Sequence, residues 1–272
     1  MKKILILFIF LAQNLFSLAQ SNESLVISQP FYVPTIETIE HPIGDSKIKV
    51  KIYQYGEPNH ILCINLHANE TTSVNAATAV LANTGGTIVR VMNNEQRVIP
   101  FKINGVRYRF DPNRIFSDVG IQQTLRENGR ISAAAIKAVD QFAKSLLAYF
   151  PDSISCIVAL HNNTNEAYSV KSYLPGSRRE KDAKAVAPFA SQDVDDIAFT
   201  TDSLLYKKMA DCGYNSIWQD NINVKQDGSL SVYCGNNNIR YINIETQHGS
   251  VSQYATMFES LLAILFEDMK KD

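Results

Sequence analysis

The chain lacks any excess of one charge: 26 Lys and Arg stand against 27 Asp and Glu in 272 residues. That balance excludes the basic field of a nucleic-acid binder and the polybasic run that holds a protein to an acidic membrane. Its four cysteines form no Cys-x-x-Cys pair and no Cys/His cluster, which excludes a thiolate metal centre. No internal repeat or linker-like stretch divides it. No long apolar run is there to act as a stable membrane anchor; the run from Ile4 to Leu11 is too short to span a bilayer.

That short run has another reading. Lys2 and Lys3 precede it, and Ala19 in Ser17-Leu18-Ala19-Gln20 offers a cleavage position with no lipoprotein cysteine after it. Residues 1–20 therefore read as a signal peptide. The mature protein is expected to be secreted or periplasmic, with residues 21–272 as one domain. Export permits disulfides. Cys63 and Cys156 sit inside apolar runs and are expected as buried thiols, which leaves Cys212 and Cys234 as the pair better suited to a bridge.

What the chain does contain is an alternation of strands and helices. Residues 21–46 look irregular, broken by Pro30, Pro34 and Pro42. Residues 47–55 alternate Lys with Ile and Val as a half-exposed strand, and 61–66 read as a buried one. A helix over 71–82 ends at Gly85-Gly86, and a strand follows over 87–92. Asn104-Gly105 marks a hairpin within 97–110. A long amphipathic helix covers 130–150, then a buried strand 154–160. Residues 165–199 are polar and aperiodic, as a lid or binding loop would be. A helix over 201–212, strands over 215–219, 229–233 and 240–244, and a helix over 254–269 complete the chain. The expectation is an α/β three-layer sandwich around a mixed central sheet.

Three of these strands end in groups suited to one metal. Ile61-Leu62-Cys63-Ile64-Asn65-Leu66 delivers His67 and, three residues on, Glu70; the strand over 154–160 delivers His161; the strand over 240–244 delivers Glu245. Ligands of open α/β sheets collect at such carboxyl ends. Two histidines and one glutamate suit zinc and leave a fourth position open to water, whose pKa then falls toward neutrality. His67, Glu70 and His161 are the candidate ligands. A nearby carboxylate must take the proton, and Glu245 is the candidate base.

At these residues the chain resembles the zinc carboxypeptidase clan, the metallocarboxypeptidases with their aspartoacylase and succinylglutamate desuccinylase relatives. The matching pieces are Leu66-His67-Ala68-Asn69-Glu70, Asp111-Pro112-Asn113-Arg114-Ile115-Phe116, Leu160-His161-Asn162-Asn163 and Ile244-Glu245-Thr246. The resemblance implies a zinc-dependent-exopeptidase-like fold, zinc held by His67, Glu70 and His161, and Glu245 as base. It also implies that Asn113 and Arg114 grip a substrate carboxylate, a task for which a planar guanidinium is well shaped.

The chain departs from the clan in places. Pro112 stands where a leucine is usual. The oxyanion arginine has no unique match; Arg107 is preferred slightly over Arg109, with which it would share a strand face. The clan's mobile tyrosine is unassigned, with Tyr168 and Tyr173 as candidates. His248 could orient the base, line the pocket or stand solvated. Ala159-Leu160-His161-Asn162-Asn163 and Ile244-Glu245-Thr246 also resemble parts of zinc-dependent N-acetylmuramoyl-L-alanine amidases. Those enzymes separate their first histidine and glutamate widely and lack the Asn-Arg pair, so His67-x-x-Glu70 favours the carboxypeptidase side.

The implied activity is hydrolysis of an amide bond beside a free carboxylate in a small peptide; the expected export alone suggests a cell-wall peptide or a scavenged dietary one. The alternatives are deacylation of an N-acyl amino acid, or a catalytically inactive protein that binds peptide or glycan on the same fold.

Overall fold

The computed structural model describes residues 31–165 and 168–270. The expected signal peptide lies outside these residues. Eleven strands and six helices follow in order. They are β1 (Thr35–Ile43), β2 (Ser46–Tyr55), β3 (Ile61–Asn65), α1 (Thr71–Thr84), β4 (Gly86–Met92), β5 (Ile99–Ile103), β6 (Val106–Phe110), α2 (Asp118–Glu127), α3 (Ala133–Leu147), β7 (Cys156–Leu160), β8 (Ala183–Ala187), β9 (Ile197–Thr200), α4 (Ser203–Asp211), β10 (Asn215–Gln219), α5 (Leu230–Asn236), β11 (Tyr241–Glu245) and α6 (Val251–Met269).

Nine strands form one sheet in the order β1-β2-β4-β3-β7-β11-β9-β10-β8, and β5 and β6 make a separate hairpin. The centre, β4-β3-β7-β11, is parallel throughout. Antiparallel pairs β1–β2, β2–β4, β11–β9 and β10–β8 make the sheet mixed. All five residues of β3 and all five of β7 are buried, as expected of parallel strands covered on both faces.

Helices cover both faces. Val80 and Leu81 of α1, Leu205 and Met209 of α4, and Phe258 and Leu261 of α6 pack on one side with Cys63, Val158 and Ile242. Leu125 of α2, Phe142 and Leu146 of α3, and Leu230 of α5 pack on the other with Ile64, Ile157 and Tyr241. The result is a three-layer α/β sandwich. Among the described residues no helix is long and apolar enough to cross a membrane.

Four sequence expectations give way. Residues 35–43, expected to be irregular, form β1, paired with β2 from Thr35↔Gln54 to Ile43↔Ser46. Pro42 is tolerated because β1 is an edge strand, where a missing donor faces no neighbour. The expected strand over 229–233 is instead α5, whose first amide, Leu230 N, donates to Asn113 Oδ1 at 3.0 Å. The lid stretch contains β8, β9 and two single 3-10 turns, Val170–Tyr173 and Glu180–Asp182. Finally, all four cysteines are free thiols. Cys212 faces solvent at the C-cap of α4 while Cys234 is enclosed in the core on α5, so the pair is not bridged.

Candidate active site

β3, β7 and β11 are adjacent and parallel, so the residues that follow them emerge side by side at one edge of the sheet. His67, Glu70 and His161 meet there, with one ligand atom from each within 4.8 Å of the others. Glu70 is the hub. Its Oε2 lies 2.6 Å from His161 Nδ1, and its Oε1 lies 2.9 Å from His67 Nδ1. The two imidazole rings stand 5.3 Å apart between centroids, inclined at 51°. Glu70 occupies this position because a turn closes on it, Glu70 N donating to His67 O, before α1 begins at Thr71.

The cluster fits a divalent metal on one observation in particular. His67 Nδ1 is buried, and its one neighbour is the Glu70 carboxylate, 2.9 Å away as an ion pair without a well-formed hydrogen bond. A buried ring nitrogen without a well-formed hydrogen bond, facing a carboxylate and a second imidazole, suits a metal ligand. The other ring nitrogen, Nε2, lies 2.7 Å from Asp111 Oδ1. That contact fixes Nδ1 as the nitrogen facing the cluster, in the carboxylate–histidine arrangement that supports metal ligands.

The electrostatics follow from this packing. Burial alone would depress the His67 imidazole, but Glu70 and Asp111 outweigh it and raise it to about 9. Burial works the other way on Glu70, yet the two histidines hold its carboxyl well below the usual range. The same opposition, with His67 and Arg97 on the winning side, holds Asp111 down. In the absence of metal, therefore, His67 holds a proton that a cation would displace, so metal binding would release it.

Asp111 does more than support His67. It follows β6 and caps the 3-10 turn Pro112–Arg114, accepting from Asn113 N at 2.8 Å on the same Oδ1. The turn carries Asn113 and Arg114 into the cleft. Behind it the backbone is pressed between two glycines. A Cβ on Gly120 would stand 2.6 Å from Arg114 O and 2.5 Å from Gly228 Cα. Gly228 also has φ +73°, so no other residue fits there without strain.

Glu245 lies half-buried at the end of β11, with Oε1 accepting from Asn243 Nδ2 at 2.9 Å. Burial foremost, with Glu70 adding to it, raises its carboxyl against the pull of His161, Asn243 and Arg97. A raised carboxyl beside a cation site is what a general base needs in order to hold a proton and then release it.

The structure brings His67, Glu70, His161, Asn113, Arg114 and Glu245 around one cleft of about 710 Å³, with Tyr168, Tyr173 and His248 also on its walls. Tyr173 is buried and its hydroxyl bonds that of Tyr168. His248 is exposed, 3.4 Å from Thr72 Oγ1.

Arg107 does not join them. Tyr108 and Phe110 of β6 point into the core, which turns Arg107 and Arg109 outward together. Arg107 borders a separate depression with Asp45 and Ser46, and Arg109 donates to Asn128 O.

The arginine that touches the cluster is Arg97, from the loop before β5. It donates from Nη1 to Glu70 Oε1 at 2.8 Å and from Nε to Asp111 Oδ2 at 3.2 Å, and it lines the cleft. Arg97 and Asp111 differ in how far the sequence announces them. Asp111 has a signal of its own, since an acid before proline at a strand end is a cap in waiting. Arg97 carries no local signal.

A three-layer α/β protein with a His-Glu-His cluster at the carboxyl ends of parallel strands is the class that fold and site define. No protein-family model matches the chain, and no curated protein does. Among solved structures, an aspartoacylase family protein from Mesorhizobium loti is similar at 12% identity over 88% of this chain and 68% of that one, with a TM-score of 0.45. The murein-tripeptide amidase MpaA from Escherichia coli O157 is similar at 11% identity, over 86% and 92%, with a TM-score of 0.46. A succinylglutamate desuccinylase/aspartoacylase from Rhodobacter sphaeroides is similar at 11% identity, over 85% and 64%, with a TM-score of 0.45.

Proposed function

We propose that this protein is a zinc-dependent hydrolase that cleaves an amide bond next to a free carboxylate in a small peptide or N-acyl amino acid. The observation that carries the reading is the buried Nδ1 of His67, which makes no well-formed hydrogen bond and faces Glu70 and His161, with the other ring nitrogen tied to Asp111. His67, Glu70 and His161 would hold the metal. When bound, zinc supplies Lewis acidity at the scissile carbonyl.

The remaining work belongs to the chain. Asn113 and Arg114 would bind the substrate carboxylate and so fix which amide bond reaches the cluster. Arg97, already anchored on Glu70 and Asp111, would turn toward the negative charge that develops on the carbonyl oxygen. Glu245 would take the proton of the attacking water and pass it to the leaving nitrogen, a role its raised carboxyl supports. A cleft of about 710 Å³ suits a ligand of dipeptide size. Export to a compartment where cell-wall peptides are met rests on the signal-like residues 1–20.

The test is metal analysis paired with turnover. The protein purified without chelator is expected to hold about one zinc per chain and to hydrolyse members of a panel of peptides and N-acyl amino acids. Glu245→Gln should keep the zinc and lose turnover by about 100-fold or more. A wild-type protein that binds no zinc after incubation with it would sink the reading. Zinc binding with no turnover on any panel member would leave a metal-holding binding protein instead.

A further inference from the structure

β11 runs between β7 and β9 in the sheet, yet its middle residue is an asparagine. Tyr241, Asn243 and Glu245 alternate with Ile242 and Ile244, so the three share one face of the strand, and all three line the cleft. Asparagine is poorly suited to a strand interior, and Asn243 is only 5% exposed. Its partners across the sheet, Ala159 on β7 and Phe199 on β9, are apolar and offer its amide nothing. A polar side chain so enclosed lowers stability unless its hydrogen bonds are made.

One end of the amide is used within the protein. Nδ2 donates to Glu245 Oε1 at 2.9 Å. The same bond sets which way the amide lies, because a flip would place Oδ1 against a carboxylate oxygen, acceptor to acceptor. The other end is not used. Oδ1 is buried and, among the described residues, accepts from no donor. An asparagine kept for structure alone would use both ends. A buried acceptor without a donor is unfavourable, and on a cleft wall a group of the bound substrate can relieve it.

The place indicates which group. Oδ1 belongs to the amide that touches Glu245, so a substrate atom beside it is also beside the base. When Glu245 passes its proton to the leaving nitrogen, that nitrogen is such an atom, and in the substrate it carries one N–H. Protonation requires its lone pair to face Glu245. Lone pair and N–H point apart once the nitrogen leaves the amide plane. An acceptor next to the base therefore holds the N–H aside and turns the lone pair toward the proton.

We propose that Asn243 positions both partners of this proton transfer: Nδ2 holds the Glu245 carboxylate, and Oδ1 accepts the N–H of the leaving nitrogen. No bond to Asn243 forms or breaks; the proton that Glu245 takes from water goes to the nitrogen as described above. The proposal rests on the hydrolase reading for turnover, and on the unused acceptor for binding.

The test is a cycle of two changes on the zinc-loaded full chain. One is Asn243→Leu, which keeps the length and branching of the side chain and removes both polar ends. The other replaces the scissile N–H of the best-cleaved dipeptide in the panel by N-methyl. On the N–H dipeptide, Asn243→Leu is expected to lower kcat/KM by about 100-fold, mostly in kcat, with zinc content and melting temperature as in wild type. On the N-methyl dipeptide the loss should be about 10-fold smaller, because Oδ1 has nothing there to accept. A packing role alone would give no such coupling.

A kcat/KM within about threefold of wild type in Asn243→Leu overturns the proposal, and so do equal losses on the two dipeptides. Should Asn243→Leu not fold, Asn243→Ser takes its place in the cycle. If wild type leaves the N-methyl dipeptide uncut, the cycle is measured as binding by calorimetry. Wild type should then favour the N–H dipeptide about 5- to 10-fold more than the variant does, and equal ratios overturn the proposal. If no peptide is cleaved at all, the hydrolase reading fails by itself, and the same calorimetry with alanyl-alanine and alanyl-N-methylalanine decides the role of Asn243.

Discussion

His67 and Asp111 are joined at 2.7 Å through Nε2 and Oδ1, and this contact couples two parts of the site that the sequence keeps 44 residues apart. The same Asp111 oxygen accepts from Asn113 N, so the carboxylate that aims a metal-suited histidine also shapes the turn holding Asn113 and Arg114. Asp111→Ala is therefore expected to act twice. Zinc affinity should fall by about 10- to 100-fold, as when other carboxylate partners of metal-ligating histidines are lost. KM for a carboxylate-bearing substrate should rise in metal-saturated protein. Competition against a chelating indicator measures the first effect, and steady-state kinetics at saturating zinc the second. Unchanged zinc affinity would show that the contact does not orient a ligand.

Arg97 and Arg107 make a matched pair of variants. Arg97 lines the cleft and touches Glu70 and Asp111, while Arg107 lies on the outer face of β6 beside Asp45 and Ser46. Arg97→Ala is expected to lower kcat by about 100-fold or more, the loss typical of one donor to a developing oxyanion. Arg107→Ala should leave kcat and KM within about twofold, as surface changes usually do. The reverse ranking would return the oxyanion role to β6.

His67, Glu70, His161 and Glu245 are legible in the sequence and Arg97 is not, for a physical reason. Each of those four follows or ends a parallel strand buried on both faces, and such strands read as continuous apolar runs. Parallel neighbours bring the carboxyl ends of those runs to one edge of the sheet, so the pattern of apolar runs alone groups the residues that follow them. Arg97 sits on a loop whose course is set by contacts with Glu70 and Asp111, 27 and 14 residues away. Nothing in its neighbours announces that. The elements divide in the same way. β1 is obscured by Pro42, which only an edge strand tolerates. The start of α5 depends on Asn113, 117 residues away in sequence. Sequence patterns carry local periodicity well, and they carry caps and contacts supplied across the fold poorly.

Gly228 offers a stability test of the wall behind Arg114. A Cβ there would stand 2.6 Å from Gly120 Cα and 2.8 Å from Arg114 O, both backbone atoms, at φ +73°. Neither neighbour can rotate away as a side chain would. Gly228→Ala is expected to cost roughly 2–4 kcal/mol, combining left-handed strain with overpacking. Urea unfolding measures it. Because the displaced atoms belong to Arg114, KM should rise with the destabilisation. A loss below about 0.5 kcal/mol would mean the three backbones separate freely.

Asp196 gives a pH-dependent prediction away from the metal-suited cluster. Burial first, then Asp193 and Asp195, raise its carboxyl from 3.8 to about 6. The folded state therefore holds this proton more tightly than the unfolded chain does. Its contribution runs opposite to that of an ion-paired acid: the folded protein bears no penalty below about pH 4, and the penalty grows as pH rises to about 6 and is complete above. Asp196→Asn removes the ionisation and keeps an acceptor for Gln253, the group that partly offsets the rise. The variant should match wild type in acid and exceed it by about 1–2 kcal/mol at neutral pH, once partial solvent access is allowed for. Urea unfolding of both proteins from acid to neutral pH supplies the comparison. The stability difference must open over that interval, since a constant offset at every pH would trace to lost contacts rather than to the buried charge.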